Sequence, residues 1–264
     1  DRRAEQLLAL LQQNDPRLAT GKSAKDLDRP ETSIAQSSLF TGAIHEPQMY
    51  TELKKEIVLV VISPGVPVDA PMLSEYRERN IPIWGEIELA YAFSKGRVVA
   101  ITGTNGKTTT TTLVGQIMEA YFQSVYVVGN IGNPYTEIAL DTKEDTVTVA
   151  EISSFQLETI HTFHPAVSAI LNITPDHLNR HHTMECYVAT KEAIASNQTV
   201  EDTCVLNYED AYTRDFGSRC PAKVVYFSSR TKLEEGVYLD GEEIILAKNG
   251  EKKPLMNIHD MNLV

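Results

Sequence analysis

Residues 98–110 read Val-Val-Ala-Ile-Thr-Gly-Thr-Asn-Gly-Lys-Thr-Thr-Thr. A β-branched run breaks at a glycine-containing turn and leads straight into a threonine-rich segment that suits a helix start. A strand that feeds a helix through so short a turn belongs to an α/β sheet rather than a sandwich or a bundle. The turn also has the make-up of a phosphate cradle. Glycines let backbone N–H groups approach phosphate oxygens closely, and the new helix presents its positive end to them. In that reading Gly103, Thr104, Asn105, Gly106, Lys107, Thr108 and Thr109 bind the nucleotide. Lys107 reaches the β- and γ-phosphates, and the Thr108 hydroxyl serves a Mg²⁺ ion. The general P-loop pattern places a glycine five residues before Gly106, where this chain has Ile101, so the loop is a shorter variant.

The surrounding pattern agrees with an α/β sheet. Strands are expected at 97–102, 125–128, 146–151, 167–172, 203–206 and 223–227, with helices at 107–121, 154–160 and 184–196. Such alternation makes a mainly parallel sheet covered on both faces. Asp240-Gly241 and Asn249-Gly250 sit between strand-like runs and predict hairpins with primed turns. Upstream, Ile57–Ile62 is a continuous apolar run ended by Ser63-Pro64-Gly65, which reads as a buried strand entering a loop. Helical patterns follow at 70–79 and 86–93, separated by Ile81-Pro82-Ile83, and another covers Arg3–Gln13. Lys95-Gly96 is the expected domain boundary. The expected architecture is α/β, with a Rossmann-like partial N-terminal domain (1–94), then a P-loop mononucleotide-binding, mainly parallel sheet domain with a small antiparallel hairpin region (95–264).

The chain has 264 residues, 42% hydrophobic and 23% charged, which describes a globular protein with a sizeable core. Its formal charge of −12 and lack of a basic stripe exclude nucleic acid as the main partner. No apolar run reaches membrane-spanning length. Three sparse cysteines, Cys186, Cys204 and Cys220, suit neither a disulfide framework nor a zinc site, and a cytoplasmic location follows as the expectation. The start at Asp1 and the stop within apolar sequence lead us to expect an amino- and carboxyl-terminally incomplete chain.

Gly103-Thr-Asn-Gly-Lys-Thr-Thr-Thr110 resembles the ATP loop of the Mur ligases, the amino-acid ligases of peptidoglycan precursor synthesis. Ser63-Pro-Gly-Val-Pro67, Glu86-Ile-Glu-Leu-Ala90, Gly129-Asn-Ile-Gly132, Glu151–Glu158 and Asn172–Arg180 extend the resemblance in order. Together these segments resemble the member that joins D-glutamate to UDP-N-acetylmuramoyl-L-alanine through an acyl phosphate, with ATP and two Mg²⁺ ions. Mn²⁺ also suits such ligands. The resemblance implies Lys107, Glu151, His177 and Lys191 as catalytic residues. Thr108, Glu151, His177 and a carbamylated Lys191 would be the metal ligands, and Gly65, Asn130, Ser153 and Gln156 the contacts to the sugar nucleotide. Asp1-Arg2-Arg3 matches weakly a uridine-binding segment.

Taken alone, a strand-end Glu, a loop His and a helix Lys also suit structural or solvated roles, and His181-His182 reads as solvated surface. The resemblance further implies a monomer, 1–94 as the UDP-sugar domain, 95–264 as the central ATP domain, and an amino-acid-binding carboxyl-terminal domain that this chain does not include. A catalytically incomplete nucleotide-binding module and a sibling ligase for another amino acid stay open as alternatives.

Overall fold

A computed structural model describes residues 57–130 and 132–260. The expected helix Arg3–Gln13 and the Asp1-Arg2-Arg3 segment lie outside the described residues. Two compact units divide between Gly85 and Glu86. In the first, β1 (Val60–Ile62) leads through the Ser63-Pro64-Gly65 turn and a 3₁₀ turn to α1 (Ser74–Glu78), and the chain returns as β2 (Ile83–Gly85). The strands pair in parallel, Val60 opposite Ile83 and Ile62 opposite Gly85. Ile62, Leu73, Tyr76 and Ile81 fill the space between strand and helix. Here Ile83 is the start of a strand rather than a spacer. Three residues are too short to show a period, and their strand character comes from the partner across the ladder.

The second unit begins with α2 (Glu86–Phe93), which corrects the expected boundary at Lys95-Gly96. Glu88 of this helix is fully buried. Its carboxylate accepts the backbone N–H groups of His161 (2.9 Å), Thr162 (2.6 Å) and Phe163 (3.0 Å). Tyr91 Oη donates to the His164 carbonyl at 3.1 Å, and Ile87, Ala90 and Tyr91 join the main core. The helix therefore belongs to the sheet that follows it.

That sheet is built from β3 (Arg97–Thr102), α3 (Lys107–Glu119), β4 (Val125–Gly129), α4 (Tyr135–Ile138), β5 (Val147–Glu151), α5 (Ser154–Leu157), β6 (Val167–Ile170), α6 (Leu178–His181), α7 (Met184–Glu192), β7 (Thr203–Asn207), α8 (Ala211–Phe216), β8 (Lys223–Ser228), β9 (Gly236–Asp240), β10 (Glu243–Lys248) and β11 (Glu251–Asn257). Its nine strands lie in the order β11-β10-β9-β8-β7-β6-β3-β5-β4. They are parallel from β4 through β9 and antiparallel from β9 to β11.

Alternation along β3 divides the core. Val98 and Ala100 face one cluster with Val128, Ile170 and Leu206, and Val99 and Ile101 face another with Val114 and Met118 of α3. Both faces of a parallel sheet are thus covered, as the alternating pattern required. Asn249 and Gly250 form the expected primed turn, both at positive φ (54° and 77°). The other hairpin corrects the expectation: Asp240 stays in β9 opposite Glu243, and the turn falls on Gly241-Glu242, with Gly241 at φ 61°. Among the described residues no helix is long and apolar enough to cross a membrane.

Position follows from topology. β3 leads through α3 to β4 on one side, whereas its neighbour β6 leads on to β7 on the other, so their connections diverge and open a crevice at the carboxyl ends of these strands.

Candidate nucleotide-binding site

The turn after β3 lies in that crevice. Gly103 has φ 152° and Gly106 φ 83°, values that L side chains rarely adopt. A Cβ on Gly103 would also stand 3.0 Å from Leu171 Cβ, so the neighbouring loop leaves it no room. α3 starts at Lys107 behind a Gly106 N-cap that offers no side-chain acceptor. Its first-turn N–H groups and the positive end of a 13-residue helix thus face the crevice. Lys107 Nζ donates to the Gly103 and Thr104 carbonyls at 3.0 and 3.1 Å.

Glu151 closes the next strand over. It is 1% exposed, and its two oxygens accept from Thr108 Oγ1 at 3.0 Å and Asn130 Nδ2 at 2.8 Å. Asn130 reaches it because β4 and β5 end so close together that a Cβ on Gly129 would lie 2.1 Å from the Glu151 carbonyl. Both donors to this buried carboxylate are neutral, and burying a carboxylate without a partner cation is expensive. A hard divalent cation beside the Thr108 hydroxyl would neutralise it. A hydroxyl and a carboxylate oxygen side by side fit Mg²⁺, which takes one or two protein oxygens and completes its shell with phosphates and water.

Lys191 approaches from the other side on α7. It is 1% exposed, donates to the Gly103 carbonyl at 2.9 Å, and has its Nζ 4.8 Å from the centre of the Tyr187 ring. Burial, reinforced by the neighbouring Lys107 ammonium and only partly offset by Asp176, pulls its pKa down to about 7. A large share of this amine is therefore neutral near pH 7, the form that can add carbon dioxide. Tyr187 Oη and Thr104 Oγ1 are 3.1 Å apart, so the residue that flanks Lys191 also touches the phosphate loop. Sequence reasoning missed Tyr187, although its place one helical turn before Lys191 puts both on one face.

His177 sits in the loop after β6 in a left-handed conformation, φ 49°. Its ring lies 3.4 Å from Asp176 Oδ2 and packs on Phe155 with ring centres 5.0 Å apart. These contacts do not join it directly to Glu151 or Lys191. His181 corrects the reading of its pair as solvated surface: it is buried. Its Nε2 is 3.0 Å from Ser154 Oγ, and its ring packs between Phe155 and Tyr187. His182 is exposed, as expected.

Ser153 caps α5 in a capping box with Gln156. Gln156 is buried, takes the Ser153 N–H at 2.8 Å and gives its own amide to Glu86 at 2.8 Å. It holds the cap, while Ser153 and the exposed Asn130 border the crevice. Gly65 is exposed in the first unit, with open space where a Cβ would stand.

A central parallel strand, a glycine turn, a lysine at the helix start and a threonine–carboxylate pair on the next strand define a P-loop nucleotide-binding α/β domain. The Mur ligase middle domain family matches residues 101–262, and the chain belongs to that family. Similar relatives include the UDP-N-acetylmuramoylalanine--D-glutamate ligase of Lachnospira eligens, 62% identical over 229 residues that cover 87% of this chain and 50% of that protein. The protein of the same name from Lachnoclostridium phytofermentans is 50% identical over 257 residues, or 97% of this chain and 57% of that one. The chain thus spans about half the length of the curated relatives it matches. Among solved structures, UDP-N-acetylmuramate:L-alanyl-gamma-D-glutamyl-meso-diaminopimelate ligase from Neisseria meningitides shares the fold. Its TM-score is 0.51 at 14% identity, over 80% of this chain and 76% of that one.

Proposed function

We propose that this protein is an ATP-dependent ligase that adds D-glutamate to UDP-N-acetylmuramoyl-L-alanine in peptidoglycan precursor synthesis. The observation that carries the reading is the convergence of Lys107, the Thr108–Glu151 pair and the neutralisable amine of Lys191 on one phosphate loop. The names of relatives at 50–62% identity supply the substrate pair. A carboxylate is a poor electrophile, and phosphorylation by ATP makes it a good one. The L-alanine carboxylate attacks the γ-phosphorus, ADP leaves, and the D-glutamate amine displaces phosphate from the acyl phosphate.

In this scheme the α3 N–H groups and Lys107 hold the β- and γ-phosphates in line and oppose the charge that builds during transfer. Thr108 and Glu151 would hold one Mg²⁺, and His177 with a carbamylated Lys191 a second; Mn²⁺ could replace either. Bound metal supplies charge neutralisation at the transferring phosphoryl group. Carbamylation turns a cation that would repel metal into an oxygen anion that binds it. Asn130 and Ser153 would meet the sugar diphosphate, with Gln156 acting through the Ser153 cap and Gly65 offering backbone amides from the UDP-sugar domain. The protein is proposed to act in the cytoplasm as a monomer.

Phosphate release with ATP, Mg²⁺ and UDP-N-acetylmuramoyl-L-alanine tests this, with D-glutamate compared against L-glutamate, L-alanine and a diamino acid. Release dependent on D-glutamate is expected, and dependence on another amino acid would overturn the substrate assignment. Lys107→Ala is expected to lose about 3 kcal/mol or more of transition-state stabilisation. Its circular dichroism should be unchanged, because among the described residues the Lys107 amine bonds within its own loop.

A further inference from the structure

The geometry points to Asn172, in the loop after β6, as a positioning residue that sets the shape of the phosphate loop; this rests on the nucleotide reading above. β3 and β6 are parallel neighbours whose ladder does not stop where the strands do. Leu171 N–H donates to the Thr102 carbonyl at 3.0 Å and Thr104 N–H to the Asn172 carbonyl at 2.9 Å, which carries the pairing into the turn. The next rung is made by a side chain. Asn172 Oδ1 accepts the Asn105 N–H at 2.8 Å, and Asn172 Nδ2 donates to the Asn105 carbonyl at 2.9 Å. A carboxamide has one acceptor and one donor side by side, the same pair a peptide group presents, so it satisfies both backbone groups of Asn105 at once.

Asn172 is itself held on both sides. Asn207 Nδ2 donates to the Leu171 carbonyl at 2.9 Å, and the Ile173 N–H donates to Asp210 Oδ2 at 2.6 Å. Asp210 is in turn fixed as the N-cap of α8. One residue further, Thr174 N–H donates to Thr104 Oγ1 at 3.0 Å. The close approach explains why Gly103 has no space for a Cβ. The Asn105 N–H is therefore engaged by the Asn172 side chain, and this contact orients the peptide that precedes Gly106 and Lys107. Asn172 touches no reacting atom in this scheme; it acts through the loop.

Asn172→Ala and Asn172→Asp separate this role from general stability, with affinity for ADP and Mg²⁺ measured by calorimetry on the full chain. Loss of two hydrogen bonds that shape the loop predicts about tenfold weaker ADP binding for Asn172→Ala, with little change in melting temperature. Asn172→Asp at neutral pH keeps an acceptor for the Asn105 N–H but sets a second acceptor against the Asn105 carbonyl, so it should bind as weakly or worse. Protonation of that carboxyl restores one donor beside one acceptor. On acidification the ADP affinity of Asn172→Asp, normalised to the unsubstituted protein, should therefore rise past that of Asn172→Ala. If acid brings it only level with Asn172→Ala, charge repulsion explains the loss and the inference falls. Equal ADP affinity in all three proteins would overturn it too. Absence of ADP binding by the unsubstituted protein would remove the nucleotide reading, and this inference with it.

Discussion

At the scale of single residues, Lys191 carries a proton that its surroundings oppose. An unfolded lysine keeps its proton to about pH 10.5, and the folded one only to about 7. Between those values the unfolded chain binds more protons, so stability rises with pH across that window, and the burial penalty is fully present below it. Lys191→Met keeps a long flexible stem without the charge. It is expected to raise the unfolding midpoint near pH 6, with an upper bound on the order of a few kcal/mol, and the gain should fade as pH approaches 10. Melts of both proteins across this range decide the matter: a gain that does not vary with pH would mean that the buried proton is not the source. The same environment makes the amine available for carbon dioxide, so instability and proposed chemistry share one cause. None of this is readable at position 191 itself, where a helix lysine suggests solvent. Burial comes from the Tyr187 ring and from Gly103, which lies 88 residues earlier.

At the scale of elements, the carboxylate of Glu88 ties α2 to the segment that precedes β6. It receives three backbone N–H groups and the Thr162 hydroxyl. Glu88→Ala leaves those donors buried without an acceptor and should cost about 3 kcal/mol or more. Glu88→Gln keeps the shape but only one acceptor oxygen, so an intermediate loss is expected. Denaturant titration of the three proteins measures both, and a glutamine variant as stable as the unsubstituted protein would dismiss the carboxylate as the anchor. This bond network is also why the unit boundary falls at Gly85 and not at Lys95. The helical period of 86–93 was legible, but a short apolar stripe can dock on either side, and its acceptor's partners lie 73–75 residues away. His181 illustrates the same limit. Its contacts to Ser154, Phe155 and Tyr187 come from two other helices, so its neighbours along the chain gave no sign of burial.

At the scale of the whole molecule, ligand binding should appear as stability. ADP with Mg²⁺ at about one hundred times its dissociation constant raises unfolding free energy by about 2.7 kcal/mol. The melting temperature should rise accordingly, and Lys107→Ala should lose most of the shift. A chelator should shrink it as well, because the Glu151 carboxylate would again face phosphate without a cation. A shift insensitive to chelation would argue against metal at the Thr108–Glu151 pair. What the sequence determined by itself was local: the strand, glycine turn and helix of 97–119, the alternation of later elements, and the positive-φ turn at Asn249-Gly250. Each depends on backbone sterics and on a periodicity complete within a few residues. Only the tertiary structure decided that β3 lies between β5 and β6, that Glu151 and Lys191 meet the same loop, and that Asn172 supplies its next rung. Those relations join segments 43 to 88 residues apart. Strand order and side-chain packing settle such distances, because a local pattern shows which face of an element is apolar and says nothing of what will cover it.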